Sequence, residues 1–133
     1  MSADVLAKVG QYLERFAQER DLALPPLDEH GVARIQRGSA VVSIHALPDQ
    51  GVLLLLARVG GPVAEGDEER LRLLLTSSFL ATGDAAFSLH PDTGDIYLRI
   101  LRAVQGLDYE EFEDLVHTIA TVADDWDDRL GGA

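Results

Sequence analysis

The sequence predicts an α+β protein with a five-stranded antiparallel sheet and three helices, in the order α-β-β-β-α-β-β-α. Three segments repeat apolar residues at the three- and four-residue spacing of an amphipathic helix, and five shorter segments have the apolar patterns of strands. Short turns rather than helices separate most consecutive strands, which favours antiparallel pairing. The length of 133 residues fits one domain, so we assign residues 1–133 to a single domain.

The first helix is predicted over residues 4–19. Leu6, Val9, Leu13 and Phe16 recur at helical spacing and form one apolar stripe. Pro25-Pro26 prevents the helix from continuing, because proline lacks an amide donor and restricts the residue before it.

Three strands are predicted to follow, over residues 32–36, 40–47 and 52–57. The second strand alternates between two faces, whereas the third is apolar on both. A strand that is apolar on both faces is typical of a central position with cover above and below, so we expect both here. We expect Gly60-Gly61-Pro62 to end this strand.

The second helix is predicted over residues 68–81, with Asp67 as its N-cap. Its apolar residues cover more of the circumference than packing on one sheet face requires. Either the helix lies deep in its own core, or it also packs against a second copy of the chain. For the second case the predicted dimer interface consists of Leu71, Leu74, Leu75, Ser78 and Phe79.

A hairpin and a third helix complete the chain. The hairpin strands are predicted over residues 85–90 and 95–102, with Gly94 at the end of the turn in a left-handed conformation. Asp108 and Glu111 resemble a capping box at the start of the last helix. The apolar stripe of that helix consists of Phe112, Leu115, Val116, Ile119, Val122, Ala123, Trp126 and Leu130.

Composition argues against several classes of function. Cysteine is absent, which removes disulfides, thiolate metal sites and cysteine nucleophiles. The net charge of −12 opposes binding to nucleic acid or to anionic membranes. No apolar run is long enough for a signal peptide or a membrane span, so we expect a cytoplasmic protein.

We expect no enzymatic activity, no cofactor and no metal site. The sequence contains no phosphate-binding loop, zinc-binding histidine pair, serine nucleophile elbow or calcium loop. The four histidines fall on separate elements, and only His45, beside Ser43 on one strand face, is a position to inspect. A small enzyme that uses its scattered carboxylates is the weaker alternative.

Several segments, in this order, resemble the class I type III secretion chaperones, also called Tir or CesT-like chaperones. Leu27-Asp28-Glu29-His30-Gly31 is similar to the turn after that family's first helix, and Leu73-Leu74-Leu75 to its leucine-rich second helix. The hairpin over residues 87–98 and Trp126 in an acidic final helix also fit. The chain departs from the family at Thr76-Ser77-Ser78, where an Ala-Asn or similar pair is common.

The resemblance implies a bacterial, cytoplasmic homodimer that binds the N-terminal, non-globular segment of a secreted effector and keeps it soluble and competent for export. We expect the effector to contact apolar surface on the first helix and the neighbouring strands, although each candidate is also an ordinary core position. The candidates are Val5, Val9, Tyr12, Val32 and Val41. A protein-binding module of related fold outside secretion is the alternative.

Overall fold

The computed structural model describes residues 2–130, with side chains from residue 4 onward. The described chain forms three helices and five strands in the predicted order, which confirms the α+β class. The elements are α1 (Ser2–Glu19), β1 (Val32–Arg37), β2 (Ala40–Leu47), β3 (Val52–Pro62), α2 (Glu68–Ser77), β4 (Ala86–Leu89), β5 (Asp95–Ala103) and α3 (Tyr109–Arg129).

The five strands form one antiparallel sheet in the spatial order β1-β2-β3-β5-β4. β3 is therefore central, as predicted, and β1 and β4 are the two edges. α1 and α3 touch each other and cover the same face of the sheet, α1 over β2 and α3 over β2, β3 and β5. In residues 2–130 no helix has the length and apolar character needed to cross a membrane.

The core lies between the sheet and these two helices. Alternate strand residues such as Ile44, Leu55 and Leu98 are fully buried on the helix-covered face. Each large aliphatic side chain that is removed from water in this way stabilises the fold by roughly 1.5–3 kcal/mol. The residues between them point to the opposite face, which we call the outer face.

Aromatic side chains join α1 to α3. Tyr12 and Phe16 of α1 pack against Phe112 with ring centroids 5.7 and 6.3 Å apart. The Tyr12 hydroxyl donates a hydrogen bond to the Leu107 carbonyl (2.8 Å), and Lys8 Nζ donates to the Val104 carbonyl (2.8 Å). These contacts fix α1 against the loop that leads into α3.

The start of α3 and its apolar stripe agree with the prediction. Asp108 is the N-cap, and its carboxylate accepts a hydrogen bond from the Glu111 amide (2.8 Å). Near the other end of the helix, Trp126 meets Phe87 of β4 edge to face, with ring centroids 4.9 Å apart. The stripe is buried apart from Val122, which is half-buried.

The prediction that Gly60-Gly61-Pro62 ends β3 is wrong. The strand continues to Pro62 and pairs with β5 as far as Asp95, with register shifts on both sides of Gly60. Gly60 is buried, and a Cβ atom there would lie 3.1 Å from Ile96 Cδ1. The glycine therefore permits a bulge against β5 instead of ending the strand.

The prediction that β3 is covered on both faces is also wrong. Leu54 and Leu56 lie on the outer face and remain partly exposed. No helix within residues 2–130 packs over them. A central strand has hydrogen-bonded neighbours on both sides, but this does not place a layer on each face. The sheet therefore keeps an uncovered apolar surface.

Candidate functional site

α2 lies beside edge strand β4 and exposes most of its apolar side chains. Asp67 caps the helix as predicted, since its carboxylate accepts a hydrogen bond from the Arg70 amide (3.1 Å). Leu74 is only 3% exposed and packs in the core of its own chain, whereas Leu75 is 75% exposed. Leu71, Leu73, Phe79 and Leu80 are exposed as well.

The C-terminal end of α2 is attached to β4 by Ser78. The Ser78 hydroxyl donates a hydrogen bond to the Leu74 carbonyl (3.0 Å) and accepts one from the Phe87 amide (3.0 Å). The helix therefore ends at Ser77, four residues before its predicted end, and an outward amide of β4 is already satisfied. An apolar groove of about 220 Å³ lies next to the helix and is lined by Leu71, Leu74, Leu75, Phe87, Ser88 and Leu89.

The outer face of the sheet combines apolar and cationic side chains. The strand register aligns Arg34, Ser43, Leu56 and Arg99 in one row across four strands. The neighbouring row contains Val32, His45, Leu54 and Leu101. Val41 and Leu101 are 47% and 48% exposed. Neither Arg34 nor Arg99 forms an ion pair with any described side chain.

Charge is distributed unevenly over the molecule. α3 carries eight carboxylates and a single arginine, whereas α2 carries two glutamates and two arginines. On the outer face, the carboxylate of Asp95 is paired with Arg58 (3.1 Å), and this contact holds the pKa of Asp95 below its ordinary value. α2 and the outer face are therefore less acidic than α3.

A second apolar groove lies between α1 and the segment that follows it. Its volume is about 580 Å³, and it is lined by Gly10, Leu13, Glu14, Ala17, Gln18 and residues 21–26. Leu22 and Leu24 pack partly on the core from this segment. The carboxylates of Glu14 and Asp21 border the groove, so it suits a chain with apolar and basic residues.

β1 is an edge strand of the sheet, and part of its outward backbone is open. The Gly31 carbonyl accepts a hydrogen bond from the Ala46 amide of β2. The N–H and C=O groups of Val32 point away from β2, and both are bonded to Asp28. Because antiparallel pairing alternates, the N–H and C=O groups of Arg34 and Gln36 also point away from β2. The edge of β1 therefore offers two residues for pairing with an added strand.

Two of the five residues predicted to contact an effector lie in the core. Val5 and Val9 are buried beneath the sheet, because the apolar stripe of α1 faces inward. Tyr12 and Val32 are half-buried, and Val41 is exposed on the outer face, away from α1. The structure therefore does not bring the five together on one surface.

The histidines do not form a catalytic arrangement. His45 Nε2 lies 3.0 Å from Ser43 Oγ. Burial lowers the pKa of this imidazole, and the positive charge of Arg34 lowers it further. Among the described residues, no carboxylate is bonded to His45, whereas a serine nucleophile and its base would require a third group that orients the base. Among the described residues, no cluster of His, Asp and Glu side chains is arranged to hold a metal ion.

Sequence comparison assigns the chain to a family. The model of the Tir chaperone protein (CesT) family matches residues 11–127. The chain belongs to this family. A search of curated proteins found no match.

Solved structures agree with the CesT-family fold. The chain is similar to a chain of the ExsC–ExsE complex, with 26% identity, a TM-score of 0.77 and coverage of 95% of this chain and 96% of the other. It also matches a chain of the HopA1–SchA chaperone–effector complex, with 12% identity, a TM-score of 0.74 and coverage of 92% and 95%. A third match is to the heterodimeric ExoU–SpcU complex of the Pseudomonas aeruginosa type III secretion system, with 17% identity, a TM-score of 0.68 and coverage of 92% and 97%.

The turn that suggested the CesT family has a clear structural role. Asp28 accepts hydrogen bonds from the Val32 amide (3.0 Å) and the His30 amide (2.8 Å), and these bonds lower the pKa of its carboxyl group. Gly31 has a φ of +75°, and a Cβ atom there would lie 2.8 Å from the Ala46 carbonyl oxygen. The turn therefore sets the start and register of β1, the edge described above.

Sequence patterns missed the β1 edge and the groove beside α1. An edge strand resembles any other alternating strand until its neighbours are known, and the groove is lined in part by small residues, Gly10 and Ala17. The proline pair at 25–26 was the one available signal, because it forces an extended segment to run back along α1.

Proposed function

We propose that this CesT-family protein is a type III secretion chaperone. It binds the N-terminal, non-globular segment of a secreted effector in the bacterial cytoplasm and acts as a homodimer without catalysis. The observation that carries the proposal is the open β1 edge. The family match and the similarity to a chain of the ExsC–ExsE complex support the chaperone class.

The effector segment adds as an extended strand to β1. Arg34 and Gln36 offer N–H and C=O groups that point away from β2, whereas the Phe87 amide on the opposite edge is already bonded to Ser78. Backbone pairing is largely independent of sequence, which suits a segment without a fold of its own. Val32 contacts the segment at the start of this edge, and Val41 extends the contact to the outer face. Tyr12 instead packs at the contact between α1 and α3.

The groove beside α1 receives side chains from the same segment. Leu13, Leu22 and Leu24 provide apolar contact, while Glu14 and Asp21 select for lysine or arginine. A guest of this kind is attracted by the charge of the whole chain, because the protein carries −12. Burial of apolar effector residues in this groove keeps the segment soluble until export.

The homodimer forms through α2 and the adjoining outer face. Leu71, Leu75 and Phe79 are exposed and form the ridge of this surface. Leu71 and Leu75 also line the groove formed with Phe87 and Leu89, so one surface carries both a ridge and a recess. A two-fold contact requires such self-complementarity. Leu74 and Ser78, which complete the predicted interface, support the ridge from within.

Charge favours the same surface for dimerisation. Two chains of charge −12 repel each other, and the repulsion is smallest where carboxylates are fewest. α2 has balanced charges, and the outer face adds the unpaired cations of Arg34 and Arg99. The eight carboxylates of α3 lie instead on the helix-covered side of the sheet.

Substitution of Gln36 by proline tests the β1 edge. Proline removes an outward N–H and leaves the bonds between β1 and β2 intact, so Gln36→Pro stays folded. The effector is identified by co-purification with the tagged chain from its native cells, and its N-terminal segment is then titrated by calorimetry. We expect Gln36→Pro to weaken binding at least about tenfold and Gln36→Ala to bind like wild type.

The same titration distinguishes the alternative function. A protein-binding module outside secretion would bind a folded partner, so the folded remainder of the co-purified protein would bind as well as, or better than, its N-terminal segment. Equal binding by Gln36→Pro and wild type would refute strand addition at β1.

A further inference from the structure

Phe79 has a backbone conformation that a bulky residue rarely adopts. Its φ is +73°, and Asp21 is the other non-glycine residue with a positive φ in the described part of the chain. This conformation does not bury the aromatic side chain within its own chain, because Phe79 is 74% exposed and the following Leu80 is 82% exposed. Backbone strain of this kind persists where the surroundings enforce it, and it is concentrated at functional sites.

A buried threonine enforces the conformation. Thr82 is fully buried, and its hydroxyl accepts a hydrogen bond from the Phe79 amide (2.7 Å) and donates one to the Ala85 carbonyl (2.5 Å). On the other side of Phe79, the Ser78 hydroxyl is bonded to Leu74 and Phe87. The backbone of Phe79 is therefore held from both sides, while its side chain remains in water.

We infer that Thr82 is a positioning residue that presents Phe79 and Leu80 as a preformed anchor for the second copy of the chain. This inference rests on the proposed homodimer. The anchor follows the C-terminal end of α2, the helix that exposes Leu71 and Leu75, and these two leucines line an apolar groove that is present on both copies. A backbone that is fixed before association loses less conformational entropy on binding, and buried aromatic residues dominate many interfaces.

The second copy fits the anchor better than the effector segment does. The anchor adjoins β4, whereas the open edge for an added strand is β1, at the opposite end of the sheet. Ser78 also occupies the Phe87 amide, which removes one of the outward donors of β4 that an added strand would need. An apolar protrusion next to a self-complementary, weakly charged surface therefore points to a second copy.

The test measures the dimer dissociation constant by sedimentation velocity over a concentration series. Glycine adopts a positive φ without strain, so Phe79→Gly weakens the dimer by more than about 100-fold while keeping or raising the melting temperature of the monomer, measured at dilution. Phe79→Leu, which keeps an apolar anchor, weakens it by less than about tenfold. Thr82→Val loses the hydroxyl and weakens the dimer by at least about tenfold, whereas Thr82→Ser dimerises like wild type.

A double-substitution cycle separates positioning from stability. In the Phe79→Gly background, Thr82→Val and Thr82→Ser are expected to give the same dissociation constant, although their melting temperatures still differ. A dimer of Phe79→Gly as tight as wild type, or a persistent difference between the two Thr82 variants in that background, overturns the inference. Wild-type protein that is monomeric at every concentration overturns the homodimer as well. Effector binding at β1 is titrated in parallel, and its result does not depend on the dimer.

Discussion

Asp124 joins α3 to the turn between β1 and β2. Its carboxylate accepts hydrogen bonds from the Ser39 amide (3.2 Å) and from the Ser39 hydroxyl. These bonds hold the pKa of Asp124 below its ordinary value of 3.8, and the bond from the hydroxyl has the larger effect. The contact spans 85 residues of sequence and anchors the end of β1, so it helps to hold the edge strand in place.

Loss of this contact is expected to destabilise the fold in a pH-dependent way. A carboxyl group with a lowered pKa contributes stability above its unfolded pKa and loses it as pH falls through the folded one. We expect Asp124→Ala to lower the melting temperature by a few degrees at pH 7, and the difference from wild type to shrink as pH falls below about 4. Thermal unfolding followed by circular dichroism measures both.

Asp128 provides the matched control. It is another exposed carboxylate near the C-terminal end of α3, where negative charge opposes the helix dipole. Asp128→Ala is therefore expected to leave the melting temperature unchanged or slightly raised at pH 7. Equal destabilisation by the two variants would mean that the Ser39 contact does not stabilise the fold.

At the scale of elements, the periodicity of the sequence predicted most of the fold. The inward stripe of α3, the alternation of β2 and the central position of β3 follow from apolar spacing, which depends only on local geometry. The length of α2 does not follow from apolar spacing, because the Ser78 hydroxyl bonds to the Phe87 amide of β4 and the helix ends there. The continuation of β3 through Gly60 likewise depends on the contact with Ile96 of β5.

The candidate site was predictable only as an excess of apolar surface. The leucines of α2 indicated that the helix needs more than one partner, but the sequence does not reveal that Leu74 faces inward and Leu75 outward. That difference depends on the side of α2 that meets β4. The buried positions of Val5 and Val9 have a similar cause, since the stripe of α1 is fully used by the sheet.

The exposed ridge of α2 gives a direct test of the dimer. Burial of one leucine contributes about 2 kcal/mol, and a two-fold interface contains each contact twice. We therefore expect Leu75→Asp to raise the dimer dissociation constant by roughly 1,000-fold and to leave a folded monomer. Multi-angle light scattering and circular dichroism measure these two outcomes.

Leu73 is the matched control for Leu75. It lies two residues away on the helix, and thus on a different side, in a recess with Asp67, Glu69, Arg70, Arg72 and Thr76. Leu73→Asp makes the same chemical change outside the ridge and is expected to remain dimeric. If Leu75→Asp remains dimeric too, α2 is not the interface.

At the scale of the whole molecule, the two proposed partners use opposite edges of the sheet, and both reach the outer face between those edges. The effector segment joins β1, while the second copy meets α2 beside β4 and the outer face. The two partners also differ in charge: a basic effector segment is attracted by the net charge of −12, and a second copy is repelled. Ionic strength should therefore affect the two associations in opposite directions.

The salt dependence of the dimer follows from this repulsion. The Debye length falls from about 14 Å at 0.05 M salt to about 4 Å at 0.5 M, so added salt screens the carboxylates of α3 from those of the other copy, while apolar contacts along α2 are not weakened. We expect the dimer dissociation constant, measured by sedimentation velocity, to fall about three- to tenfold over this range. A variant in which Asp125, Asp127 and Asp128 are changed to Asn carries less charge on α3 and should respond less to salt. A dimer that weakens with salt would mean instead that Arg34 or Arg99 pairs with carboxylates of the second copy. Attraction between opposite charges, rather than apolar contact, would then hold the two chains together.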